Sequence, residues 1–331
     1  MCMVPLQILL LLFFLSGINA QIALPTFQGV HKPHTAEASS LYDFTTHTFT
    51  NCGATGRNGP TLANCISSYN TSWENNTDYF NVPGNAGIQN WTVPTTGTYT
   101  IEVWGAQGGR SNEGYGARMR GDFTLTSGTV LKILVGQEGG DHSLSTSGGG
   151  GTFVAKSDNT PLIVAGGGGG HRNPSTARRE TTDGDTLEAG RNGYFNGSLN
   201  NGGTSGSGGT SDDRGGAGAG FSGDGEASDD NRGSCSPSTS VGASAFTNGG
   251  TGGWGNMYMV NDCNGAQRFG GFGGGGSGGW GGAGGGGGYS GGGADTNSGW
   301  SGGGGSYNSG TNQSNSIGAN SSHGKVVITI N

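Results

Sequence analysis

Apolar and polar residues alternate with period two in several short runs of the chain: Gln89–Val93, Thr98–Trp104, Gly121–Leu125, Thr129–Val135, Thr152–Ala155, Leu162–Ala165 and Lys325–Ile330. In the second run Tyr99, Ile101 and Val103 share one side, while Thr98, Thr100 and Glu102 share the other, the signature of a strand with one buried face. Turn signals bound the runs, PTTG at Pro94–Gly97 and TSG at Thr126–Gly128 among them. Together they predict an antiparallel sandwich. No segment sustains a 3.6-residue apolar stripe, so very little α-helix is expected, confined to short pieces near Pro60–Ile66 and Asp183–Ala189.

Between Ala165 and Lys325 the pattern dissolves into Gly, Ser, Asn and Asp, with glycine runs at Gly166–Gly170, Gly273–Gly276, Gly284–Gly288 and Gly302–Gly305, and another just upstream at Gly148–Gly151. The chain has 76 Gly and only 9 Pro in 331 residues, a composition that ordinarily reads as disorder, because glycine loses the most entropy on folding and buries no side chain. Here, however, the β-patterned GKVVITI closes the sequence and needs strand partners, which lie before the glycines. The tract, roughly residues 140–322, therefore reads as an insertion anchored at both ends of a domain spanning 47–331. Collagen is excluded, since G-X-Y periodicity is absent and proline is scarce. The remaining ordered form is a bundle of polyglycine-II helices with three residues per turn, whose amides pair between segments. Single aromatics between the runs, Phe272, Trp280, Tyr289, Trp300 and Tyr307, would cover such a bundle or dock it on the sandwich.

The ends set the compartment. Residues 1–20 carry an apolar run from Ile8 to Leu15 and a small-residue exit at Gly17…Ala20, the layout of a secretory signal cleaved before Gln21, although no Lys or Arg precedes it. That block is short for a membrane span and no second one follows, so a secreted chain with no membrane span is expected. Residues 21–46 read as a flexible leader. Removing the signal leaves Cys52, Cys65, Cys235 and Cys263, an even set that reads as two disulfides. Three connectivities exist, and proximity in sequence favours Cys52–Cys65 with Cys235–Cys263. N-glycosylation signals begin at Asn70, Asn75, Asn90, Asn196, Asn312 and Asn320.

Charge and chemistry narrow the function classes. A net charge of −7 with only Arg178-Arg179 as a basic pair argues against nucleic acid. WGAQGG after the Thr98–Val103 run resembles a dinucleotide loop, yet RSNEGYGAR behind it supplies no helix N-terminus to hold a pyrophosphate. The acidic pairs Asp212-Asp213 and Asp229-Asp230, near Asp224 and Glu226, lack a calcium-repeat spacing and read as solvated loops, as does HKPH at His31–His34. The scattered His47, His142, His171 and His323 face no Ser or Cys at a fixed spacing, so a non-enzymatic protein without cofactor or metal is expected.

Eight ordered segments carry a family likeness: FTNCGATGRNGPT (Phe49–Thr61), WTVPTTGTYTI (Trp91–Ile101), WGAQGG (Trp104–Gly109), LKILVGQEG (Leu131–Gly139), GGGGTFVAK (Gly148–Lys156), PLIVAGGGGG (Pro161–Gly170), RFGGFGGGG (Arg268–Gly276) and HGKVVITIN (His323–Asn331). As a set this resembles the glycine-rich extracellular region of the anaplastic lymphoma kinase and leukocyte tyrosine kinase receptors. The resemblance implies an all-β, tumour-necrosis-factor-like jelly-roll sandwich interrupted by a bundle of polyglycine-II helices, and recognition of a small, basic, helical protein ligand. It also implies a packing or turn role for His323 before the last strand. No growth-factor-like module, membrane helix or kinase domain accompanies these segments, so a soluble binder or decoy is expected. The alternative is a structural, adhesive or filament-forming matrix protein that self-associates through unpaired amides. A polyglycine face that binds ice is a weaker reading, since no regular Thr or Ala register accompanies it.

Overall fold

A computed structural model describes residues 40–84, 87–110, 113–142, 145–172, 180–195, 198–212, 214–227, 241–255, 268–279, 281–295 and 299–331. In chain order the elements begin with β1 (Thr46–Phe49), α1 (Leu62–Ser68), β2 (Phe80–Asn81), β3 (Gln89–Thr92), β4 (Gly97–Trp104) and β5 (Gly116–Leu125). Next come β6 (Val130–Leu134), β7 (Thr152–Lys156), β8 (Pro161–Ala165), β9 (Gly193–Phe195) and β10 (Ser198–Asn200). The chain closes with β11 (Tyr307–Asn308), β12 (Ser316–Asn320) and β13 (Lys325–Ile330). One sheet runs β1-β13-β4-β5-β12 and a second runs β11-β8-β7-β6-β3-β2, while β9 and β10 form a separate hairpin. Every ladder is antiparallel.

The period-two pattern fixes which faces meet. Tyr99, Ile101 and Val103 are fully buried, and in the β4–β13 register Val103 opposes Val326 and Ile101 opposes Ile328. The closing strand thus lies between β1 and β4, so the two ends of the domain are hydrogen-bonded in one sheet. Leu131, Ile133, Val154 and Ile163 from the second sheet join the same core, which makes the two sheets a sandwich. Its end is aromatic: Phe49, Trp73, Phe80 and Trp91 pack mostly edge-on around His47 and Tyr69. Tyr42 and Phe44 also pack on this core, and Leu41 N–H donates to Pro94 O at 3.0 Å, so the packed body reaches back into the segment read as leader.

The helical expectations diverge. The one near Pro60 is α1, begun by a Thr61–Asn64 capping box. Asp183–Ala189 forms no helix; a 3-10 turn at Glu180–Thr182 precedes it and the chain then runs irregularly. There Asp183 Oδ1 accepts Tyr115 N–H at 2.8 Å and Asp185 Oδ1 accepts Thr186 N–H at 2.7 Å, side-chain bonds that compete with helical ones. Six strands fall inside 140–322, the β9–β10 hairpin and four strands of the two large sheets, β7, β8, β11 and β12, so the glycine-rich chain threads between sheet strands rather than filling an uninterrupted insert.

The glycine runs meet one another. The amides of Gly284, Gly285 and Gly286 donate to Thr146 (3.1 Å), Gly216 (3.0 Å) and Gly302 (2.9 Å). Those of Gly287, Gly288 and Tyr289 donate to Gly149 (2.9 Å), Ala219 (3.2 Å) and Gly305 (2.8 Å). Each acceptor has advanced by three residues along the same neighbour, so the pairing repeats every third residue and runs parallel. The carbonyls of Gly284, Gly285, Gly286 and Gly287 accept from Gly170, Gly276, Gly292 and Gly167, which completes six surrounding segments. A Cβ on Gly286 would lie 2.2 Å from Gly167 O, and one on Gly285 2.1 Å from Gly292 O. No side chain fits, which is why these positions are glycine. At the turn entering the bundle, Gly273 (φ 103°) and Gly274 (φ 81°) hold a left-handed backbone closed to most other residues.

Aromatic residues dock the insert. Phe153 and Val164, on strands β7 and β8, join Phe221, Phe246 and Phe272 of the glycine-rich chain in a second apolar cluster. Phe246 stacks on both Phe153 and Phe221, with ring centroids 5.1 and 4.9 Å apart, and Tyr289 stacks on Tyr307 at 4.7 Å. Trp280 lies outside the described residues.

Gly286→Ala should destabilise the chain by about 3 kcal/mol or more, because the new methyl has backbone on its only free side. Chemical denaturation measures it, and an unchanged midpoint would refute the close packing. A second expectation concerns acid. Burial lowers the His47 pKa to about 4, with the Glu74 charge opposing. The unfolded imidazole takes up its proton below about pH 6.5, the folded one only near 4, so stability is complete above 6.5 and falls between those values. The loss should be about 2 kcal/mol once partial exposure is allowed for, and His47→Phe should flatten the slope in a pH series of denaturation curves.

Candidate functional site

A cleft of about 320 Å³ opens where four distant segments meet. Thr55–Asn58 form one wall, Glu138–Gly140 a second, and Phe269 and His323 complete it. Each of these residues except Gly140 belongs to one of the segments that carry the family likeness: Phe49–Thr61, Leu131–Gly139, Arg268–Gly276 and His323–Asn331. Residues 49 and 331 bracket almost the whole described chain, yet their segments converge on one surface.

Local structure positions each side chain. The first wall lies inside the loop closed by the Cys52–Cys65 disulfide, whose Cα atoms are 4.9 Å apart. Arg57 Nε donates to Gly252 O at 3.0 Å, and its guanidinium lies 5.8 Å over the Phe269 ring. Burial holds the Arg57 pKa below its ordinary value. Opposite, Glu138 N–H donates to His323 Nδ1 at 2.9 Å, which places the imidazole proton on Nε2, 3.9 Å from Glu138 Oε2. His323 therefore braces the loop after β6, as the packing or turn role implied. Next to Glu138, Gln137 is fully buried, and its side-chain amide donates to Asn58 O at 3.1 Å, tying the two walls together. The cleft thus offers one stacked cation and one half-exposed carboxylate with its imidazole. Such a set reads a polar surface carrying both signs of charge.

The other sequence-predicted positions are placed as follows. Asn70, Asn75 and Asn312 are exposed, whereas Asn90 is half-buried in β3. The Asn320 amide donates to Gly105 O (2.7 Å), Ser322 O (3.0 Å) and His323 O (2.9 Å), bonds that a glycan there would displace. Asn196, Cys235 and Cys263 lie outside the described residues. In WGAQGG, a Cβ on Gly105 would lie 2.0 Å from Gly166 O and one on Gly109 2.1 Å from Gly140 O, so these glycines serve close backbone packing. Asp224 Oδ1 accepts Ala245 N–H at 2.7 Å, Glu226 Oε2 accepts Ser211 N–H at 2.9 Å, and no His/Cys/Asp/Glu group fit for a metal occurs among the described residues. Glu113, buried with the Thr146 hydroxyl donating to it, has its pKa raised by desolvation to about 8. No helix among the described residues is long and apolar enough to cross a membrane.

Residue-type reasoning alone did not single out Arg57, Glu138 or Phe269. The signal that could have found them was the ordered set of segments.

No protein-family model matches the chain. Over 102 residues, 28% of this chain, it is 38% identical to the leukocyte tyrosine kinase receptor of Mus musculus. The match spans 11% of that receptor's length. Part of the chain is thus similar to a short region of a receptor, in line with the family likeness.

Because the disulfide loop bears the Arg57 wall, Cys52→Ser with Cys65→Ser should cost about 3 kcal/mol on the chain-entropy account of a 13-residue separation. Amide exchange at residues 53–58 should accelerate at the same time. Unchanged protection there would show that contacts with the insert alone hold the wall.

Proposed function

We propose that this chain is a secreted, non-enzymatic recognition module that binds a protein ligand at the cleft between Arg57 and Glu138. Convergence of the likeness-bearing segments on that cleft is the observation that carries the reading: sequence features scattered over the chain share a surface, as recognition requires. The similarity to a receptor region supports it. A small, basic, helical partner fits the chain's net charge of −7 and the half-exposed Glu138 carboxylate that lines the cleft. The three-residue repeat of amide pairing supports a bundle of polyglycine-II helices in a tumour-necrosis-factor-like frame, acting as a strut that fixes the cleft walls.

The test is surface plasmon resonance of the secreted chain against the basic helical cytokines of its own organism. Glu138→Lys should weaken the interaction at least about tenfold with an unchanged melting temperature, and Arg57→Ala by a smaller factor. If both variants bind like the parent, the cleft is not the contact surface. If the chain instead forms growing filaments under sedimentation, self-association replaces the recognition reading.

A further inference from the structure

A second cleft, of about 490 Å³, shares no lining residue with the first. Its volume falls in the range of about 300–1,000 Å³ usual for small-ligand sites. Three apolar side chains and four polar ones face it: Tyr194, Leu199 and Trp300 with Thr181, Asp185, Arg191 and Asn192. Their arrangement follows from the hairpin β9–β10. Leu199 lies opposite Tyr194 across the ladder, and Tyr194 exchanges backbone hydrogen bonds with Trp300, N–H to O at 2.9 Å and back at 3.4 Å. The two rings stack with centroids 4.9 Å apart and planes 27° from parallel. Tyr194 is 39% exposed and Leu199 56%, unusual in a region that otherwise buries aromatics against the sandwich. Stacking therefore builds an apolar ledge open to solvent, one that contributes little to the core.

Polar groups stand beside the ledge. Arg191 Nε lies 2.9 Å from Asp185 Oδ2, and both side chains are largely buried. Asp185 Oδ1 is already taken by the amides of Thr186 and Leu187. Asn192 Oδ1 accepts Gly202 N–H at 2.9 Å, which orients the carboxamide, while its Nδ2 and the Tyr194 hydroxyl have no partner among the described residues. The paired ions cancel, so the site selects neither a cation nor an anion. It offers a flat π surface, a fixed amide donor, a phenol and a neutralised guanidinium. A ligand matching that set has one apolar C–H face and an edge of hydroxyls, neutral throughout. We infer that this cleft binds a neutral pyranose of an oligosaccharide, its C–H face on the exposed Tyr194 ring that Trp300 backs and its hydroxyls on Asn192 and the Asp185–Arg191 pair.

The saccharide has two sources: an N-glycan of this chain, whose Asn196 sequon lies two positions after Tyr194 in sequence, or an oligosaccharide from elsewhere. The full chain and its Asn196→Gln variant, both secreted from eukaryotic cells, are applied to an array of neutral and sulfated oligosaccharides. Binding of neutral glycans by both proteins supports the inference with an external source. Binding by Asn196→Gln alone supports it with the chain's own glycan as occupant. In either case Tyr194→Ala and Leu199→Ser, both at exposed positions, should abolish retention with melting temperatures unchanged, while binding to the Arg57–Glu138 cleft's protein partner persists. Absence of neutral-glycan binding in both proteins, retention of sulfated glycans only, or full retention by the folded Tyr194→Ala and Leu199→Ser variants would each overturn it.

Discussion

A buried peptide group must be hydrogen-bonded, and in this chain that requirement is met in two geometries whose junction sets everything else. In the sandwich the amides pair sideways in antiparallel ladders, and alternate side chains supply the apolar core. In the glycine-rich insert successive amides point in three directions, to Thr146, Gly216 and Gly302 and then three residues further along each neighbour. Six neighbours leave no room for a Cβ, so composition and packing are the same constraint seen twice. Each glycine ordered this way costs about 0.5–1 kcal/mol more than alanine would. The compensation is collective: dense backbone contact and amides satisfied from all sides, a balance that holds only if the segments cannot drift apart. The aromatic cluster of Phe153, Phe221 and Phe246 and the placement of β13 between β1 and β4 prevent that drift.

The same junction builds the Arg57 cleft. Phe272 N–H donates to Gly56 O at 2.8 Å, Gln137 N–H to Phe272 O at 2.8 Å, and Gly252 N–H to Arg57 O at 2.9 Å. A Cβ on Gly59 would lie 2.5 Å from the Phe272 ring, so the disulfide loop rests directly on the insert. One wall of the cleft is therefore pinned by a cross-link at its base and by insert backbone at its lip. The other wall hangs from β6 and is braced by His323 at the start of the closing segment. Each wall is thus held by contacts from more than one distant segment of the chain.

How much of this was legible depends on which physical signal carried it. Alternation announced β3, β4, β6, β7, β8 and β13 within a residue or two, because each has a buried face and only an extended strand sends successive side chains to opposite sides. Only the C-terminal half of β5 was announced, and β1, β2, β9, β10, β11 and β12 escaped. Thr46–Phe49 has a single buried residue, Phe80–Asn81 and Tyr307–Asn308 are two residues long, and Ser316–Asn320 is an exposed edge with an irregular register, so none leaves an apolar signature. The pairing of the closing strand with strands before the glycines was legible from the order of segments, and the docking role of Phe272, Tyr289 and Tyr307 from their isolation among glycines. The two clefts were not. Arg57 meets Glu138 only through long-range folding, and Tyr194 meets Trp300 across more than a hundred residues of low-complexity sequence, where no local periodicity encodes the contact.

A glycine bundle also restricts where specificity can reside. Its interior presents Cα hydrogens and satisfied amides, which discriminate poorly among ligands, and a side chain introduced there collides with backbone within about 2 Å, as Gly285 and Gly286 illustrate. Recognition chemistry must then sit at the margins, where the three-directional pairing ends and side chains can stand clear. The described structure has such margins in two places. One is the seam with the disulfide loop, where Arg57 and Phe269 emerge, and the other is the β9–β10 hairpin, where Gly293 N–H still donates to Arg191 O at 2.9 Å while Tyr194 and Leu199 turn outward. The side-chain-poor insert is thus a scaffold whose rigidity is used only at its edges.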